Sequence, residues 1–162
     1  MATASTTNRS HGAARDGVLV LSAWAYLIGM SVHATDHLYR GITGDDRTAS
    51  WPGTLQVALS VVAVALPVTT LLFIRTGHRW APLVGAIVGF GSAVVFFSLH
   101  VLPSWSAITD SFIGAGAGAQ VTEYSWITAG IGIGGSNLLG LAGALALRRG
   151  TVLGARRPER AL

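Results

Sequence analysis

The chain contains no cysteine and no lysine. Without cysteine there is no disulfide, no thiolate metal site and no thiol nucleophile. Without lysine there is no amine for Schiff-base chemistry, and all 11 basic residues are arginine, a usage typical of a GC-rich bacterial genome. Charge is scarce: 11% of residues are charged, against roughly 25% in an ordinary soluble domain. Apolar residues take its place, at 51% of the chain with a mean hydropathy of +0.54. The glycines at 114, 116 and 118 form no phosphate loop, because no Lys-Ser/Thr follows and no strand precedes them.

The apolar residues fall in four long runs, which predicts an all-α integral membrane protein. The spans are placed at about Val18–His37, Gly53–Ile74, Ala81–Leu102 and Glu123–Leu147. A signal peptide is the rival reading of the first run. That run is longer than a usual apolar signal core, and other spans follow it. Pro67 lies inside the second span, where a membrane helix tolerates it. Pro82 opens the third and Pro103 closes it. Short connections make successive helices antiparallel neighbours, so residues 17–149 are expected to form one antiparallel four-helix bundle. Residues 1–16 read as a disordered tail and residues 150–162 as a short Arg-rich tail.

The arginines orient the chain. Nine lie on one side of the spans and only Arg40 and Arg47 on the other. The positive-inside rule then places both termini in the cytoplasm, with the bacterial cytoplasmic membrane as the expected location. The net charge of +4 follows from this arrangement, so the lipid bilayer is the expected partner and nucleic acid is not. Glycine-rich faces on the third and fourth spans would also permit a homo-oligomer or a larger membrane complex.

Helical phase gives each span an inward face. Ser22, Tyr26, Gly29, His33, Asp36, His37 and Arg40 share a stripe on the first, and Gln56, Ser60, Ala63, Pro67 and Thr70 on the second. Gly85, Gly89, Ala93, Phe96 and His100 align on the third, and Glu123, Gly130, Gly134, Asn137 and Leu141 on the fourth. His33, Asp36 and His37, at i, i+3 and i+4, lie within about a 100° arc. Ionisable groups are costly inside a membrane helix and mark function there.

Depth adds a second reason to look at this layer. At 1.5 Å per residue, His33 stands ~24 Å above Gly17, Asp36 and His37 near ~30 Å, and His100 ~29 Å above Ala81. Glu123 starts the fourth span at the same level, and Asp110 lies in a loop that can fold down onto it. The candidate metal ligands are therefore His33, Asp36, His37, His100 and Glu123, an N/O set suited to a divalent transition ion such as zinc, copper or iron. A shared site requires a span-1 imidazole within about 12 Å of His100. The first reading is metal binding or metal-dependent surface chemistry. The second is a non-enzymatic accessory subunit whose polar residues lock the bundle, with Asp36 and Arg40 as a simple i, i+4 ion pair. The third is a b-type haem electron carrier with axial histidines from spans 1 and 3, for which Gly29 and Gly89 would give the porphyrin room.

Overall fold

The computed structural model describes residues 6–43, 53–104, 109–113 and 121–155. These form four helices in chain order, α1 (Thr6–Thr43), α2 (Gly53–Arg75), α3 (Ala81–His100) and α4 (Glu123–Ala155), with no strand among the described residues. Asp45, Asp46, Arg47, Trp51, Trp105, Ser106, the 114–118 glycines and the Arg156–Arg160 segment lie outside the described residues, as do the side chains of Gln56 and Ser60.

α1 and α4 both run beyond the apolar spans. α1 begins at Thr6, inside the segment expected to be a disordered tail, and ends at Thr43. α4 continues past Leu147 to Ala155. Adding residues to an existing helix avoids the cost of nucleation, so polar flanks extend helices that the apolar spans have formed.

Gly77 turns the chain between α2 and α3. It has φ +66°, the left-handed conformation that glycine adopts at low cost. The Gly77 N–H bonds the Ile74 carbonyl at 3.0 Å, and the Thr76 N–H bonds that of Leu72 at 3.0 Å, so the last carbonyls of α2 find donors. Pro82 occupies the first turn of α3, where its missing N–H costs nothing. At the far end of α3 the Val101 N–H bonds the Phe97 carbonyl at 2.8 Å, and Pro103 follows.

Three stretches are long and apolar enough to cross a membrane: Gly17–Arg40, Ala81–His100 and Glu123–Gly150. In α2 the apolar stretch among the described residues is shorter, Val61–Arg75. Leu21, Ile28, Ile87 and Val94 are each more than half exposed and point away from the helix contacts. A soluble monomer rarely carries such a large apolar exterior, whereas lipid accommodates it.

α4 packs extensively against both α1 and α3, while α1 and α3 touch each other at few points. Glycine makes this possible. A Cβ on Gly89 would lie 2.2 Å from the Gly140 nitrogen, and one on Gly143 would lie 2.4 Å from that of Ala86. On the α1 side, a Cβ on Gly135 would meet the Ala25 carbonyl oxygen at 2.6 Å, and one on Gly29 would meet that of Ile131 at 2.8 Å. Backbone thus lies against backbone on both faces of α4.

The inward face expected for α3 is the buried one: Gly85, Gly89, Ala93, Phe96 and His100 are all buried, with Ala81 below them. On α1, Tyr26, Gly29, His33, Asp36 and Arg40 are buried, and Ser22 and His37 are partly so. On α2, Pro67 and Thr70 are buried but Ala63 is exposed. That helix joins the core through its C-terminal half, where Leu71 and Ile74 meet Leu19, Ala23, Tyr26, Ala81, Leu139 and Ala142.

The α4 face is a correction. Glu123, Gly130, Gly134 and Leu141 are exposed and Asn137 is only partly covered. The buried positions are Ser125, Thr128, Ala129, Gly132, Gly135, Ser136, Leu139, Gly140, Ala142 and Gly143. A helix with neighbours on two sides buries two stripes, and a single-stripe reading of a uniformly apolar helix chooses its phase almost arbitrarily.

Candidate metal site

The apolar core fills the end of the molecule near the α2–α3 turn. Near the opposite end the interior becomes polar. Tyr26 marks the change, with its hydroxyl 2.9 Å from that of Ser92 across α1 and α3. Two turns further along α1 stand His33, Asp36, His37 and Arg40.

His33, His37 and His100 converge. Each imidazole offers one ligand atom, and the three atoms lie within 4.8 Å of one another. The ring centroids of His33 and His100 are 4.7 Å apart, and those of His37 and His100 are 5.6 Å apart. The Nε2 atoms of His33 and His37 are 3.1 Å apart. Two imidazole nitrogens on one tetrahedral zinc, each at about 2.0–2.1 Å, would be ~3.3 Å apart. One pair is thus already near coordination spacing, and the third ring needs a small approach. Helix geometry supplies the first pair, because i and i+4 share a face. Close packing of α3 and α4 and the limited α1–α3 contact bring in the third.

The walls are aromatic on one side and ionic on the other. Phe96 packs against His33 with centroids 4.7 Å apart, and Phe112 lies 4.8 Å from His100. His33 and His100 are buried, whereas the His37 side chain is 30% exposed and forms the open edge of the group.

Each histidine is held from behind. His100 Nδ1 donates to the Asp110 backbone carbonyl at 3.0 Å. His33 Nδ1 lies 3.4 Å from the Thr128 hydroxyl, which donates onward to the Ser125 carbonyl at 3.0 Å. His37 Nδ1 lies 3.4 Å from an Arg40 terminal nitrogen and 3.9 Å from an Asp110 carboxylate oxygen. Support of this kind fixes ring orientation at metal sites.

Asp36 is buried with both carboxylate oxygens engaged. One accepts from Arg40 Nε at 2.9 Å and the other from the Ser125 hydroxyl at 2.6 Å. Arg40 also grips Asp110 through both terminal nitrogens, one of them at 2.9 Å. Its guanidinium lies 5.5 Å from the Phe112 ring centre. Asp36 belongs to this ionic cluster and not to the convergent histidines. Glu123 is exposed in the first turn of α4 and is likewise outside that group. His78 is exposed in the α2–α3 turn, where its Nδ1 accepts the Trp80 N–H at 3.3 Å.

Asp110 connects the cluster to the chain that follows α3. Thr109, Asp110, Ser111 and Phe112 are all buried, so this stretch of the connection lies against the helix ends. The Phe112 N–H bonds the His100 carbonyl at 2.8 Å, and the Ser111 hydroxyl bonds that of Leu102 at 2.6 Å. No described buried side-chain polar atom lacks a hydrogen-bond partner.

The supporting residues on α4, Ser125 and Thr128, were missed with that helix's phase. Their signal was present: hydroxyl residues at i and i+3, continuing through Gly132 and Gly135, trace one stripe of small side chains.

The glycines proposed to make room for a porphyrin serve a different purpose. The space beside Gly29 and Gly89 is occupied by the α4 backbone, and the imidazoles pack directly on one another. The arrangement suits a bare ion better than a macrocycle. Comparison with protein-family models, with curated proteins and with solved structures finds no match to this chain.

Proposed function

We propose that this is a small integral membrane protein that binds a divalent transition ion through His33, His37 and His100. The observation that carries this reading is the convergence of three imidazole ligand atoms within 4.8 Å inside an apolar helical molecule. Imidazole nitrogen suits zinc, copper and iron. Three protein ligands with one open edge leave a coordination position for water or a substrate. Both termini lie in the cytoplasm, with the site in the layer facing the other side of a bacterial cytoplasmic membrane. The arginine distribution supports this orientation.

The accessory-subunit reading rests on the ionic cluster. Asp36, Arg40, Asp110 and Ser125 tie α1, α4 and the connection after α3 together without any ion.

One measurement separates these readings. The protein is purified in nanodiscs, and its metal content and absorption spectrum are recorded before and after exposure to zinc, copper and iron. Stoichiometric retention of a non-haem ion is expected. Failure to retain any of the three would leave the accessory role, and a Soret band would shift the reading to haem.

A further inference from the structure

The groups behind each imidazole bear on where its ring proton sits. The His100 Nδ1 hydrogen goes to the Asp110 carbonyl, so its Nε2 carries the lone pair. The Thr128 hydroxyl, which donates to the Ser125 carbonyl at 3.0 Å, is placed to accept from His33 Nδ1–H at 3.4 Å. His33 Nε2 therefore also carries a lone pair. His37 differs. Arg40 has only donors, so a hydrogen bond across the 3.4 Å to His37 Nδ1 would make that nitrogen the acceptor. In that tautomer the His37 proton is on Nε2, placed to donate to His33 Nε2 at 3.1 Å.

In this arrangement two of the three rings present a lone pair to the common centre, and the third presents a proton. An ion cannot share Nε2 of His37 with that proton. For His37 to join, the ring must release the proton at Nε2 and take one up at Nδ1. It stays neutral, and no net proton is gained or lost. Nδ1–H then needs an acceptor, and the Asp110 carboxylate oxygen lies 3.9 Å away. Rotation of the imidazole toward that oxygen would complete the bond.

We propose that Asp110 is the positioning residue for two of the three ion ligands, holding His100 through its backbone carbonyl and accepting the His37 Nδ1 proton when an ion binds. This rests on the ion-binding reading above. It makes the buried 109–112 stretch after α3 part of the site and gives Arg40 a second task. Arg40 holds the Asp110 carboxylate in place and favours the proton-blocked form of His37 until an ion displaces it. A carboxylate behind a ligating histidine orients the ring and raises its basicity, and loss of such a partner typically weakens metal affinity by 10–100-fold.

The test uses the full chain in nanodiscs with 15N-labelled histidine. The nitrogen spectrum distinguishes Nδ1–H from Nε2–H in each ring. In the wild type, His37 is expected to show Nε2–H before zinc is added and Nδ1–H afterwards, while His33 and His100 keep Nδ1–H throughout. Asp110→Asn keeps the backbone carbonyl and removes the carboxylate. It should bind zinc 10–100-fold more weakly, and Asp110→Glu should recover part of that loss. The wild-type spectrum needs no variant to fold, so the proposal remains testable if Asp110→Asn does not fold. If the wild type binds zinc with the His37 proton unmoved, or if folded Asp110→Asn binds with unchanged affinity, Asp110 has no such role. If the wild type binds no ion at all, the ion-binding reading fails as well, which is a distinguishable result.

Discussion

The three histidines are not equivalent, and substitutions should show it. His37 is the least buried of the three, with its side chain 30% exposed, so His37→Ala should lose the ion at a smaller cost in thermal stability than His100→Ala. His100 is buried between Phe96 and Phe112 and bonds the Asp110 carbonyl. His100→Ala should lose the ion and also about 1–3 kcal/mol of stability, because a buried acceptor is left unpaired. Metal analysis paired with thermal unfolding resolves the two effects. Equal metal content in both variants and the wild type would remove the histidines from the site. Asp36 should behave in the opposite way. Its oxygens are committed to Arg40 and Ser125. Asp36→Asn keeps the shape, removes the charge facing Arg40 and should lower the melting temperature without changing ion affinity. A clear drop in affinity would instead make Asp36 a ligand.

At the scale of elements, α4 organises the molecule. Glycine contacts on its two sides admit α1 and α3 at backbone distance. Gly89→Ala places a methyl group 2.2 Å from the Gly140 nitrogen. It should separate α3 from α4 and destabilise the fold by about 1–3 kcal/mol, the usual cost of overpacking. Gly130 has nothing within 4 Å of an added Cβ. Gly130→Ala should therefore be neutral or stabilising by up to about 1 kcal/mol, through helix propensity alone. Opposite signs for the two substitutions in thermal unfolding are the expected result. A destabilised Gly130→Ala variant would mean that this face is occupied in the native assembly. Because α3 carries His100, Gly89→Ala should also weaken ion binding at a distance from the site.

The whole molecule presents an apolar exterior along three long helices, with a polar interior near one end. The orientation proposed for it rests on the arginines, nine flanking one end of the spans against two at the other. Reporter fusions after Arg47 and after Gly116 should read as extracytoplasmic, and one after Arg156 as cytoplasmic. A cytoplasmic signal from the Gly116 fusion would place the histidines on the wrong side for an outward-facing site and reverse the orientation.

Much of this was decided in the sequence. Long apolar runs with scarce charge dictate helices, because such segments must satisfy their backbone polar groups internally. Spacing alone put His33 and His37 on one face, and depth alone put His100 level with them. The stripe from Gly85 to His100 was legible for the same reason: its only large or polar members come at helical intervals among small residues. Tertiary structure decided the rest. Which face of α4 is buried depends on its having two neighbours, which no single helix's pattern reveals. Whether a carboxylate becomes an ion ligand or an ion-pair partner depends on which group reaches it first. Asp36 meets Arg40 and Ser125, Glu123 stays exposed, and Asp110 folds inward from a connection with no helical period. Local periodicity is a one-dimensional signal. The competition of several side chains for one buried carboxylate is settled only when separate helices meet in space.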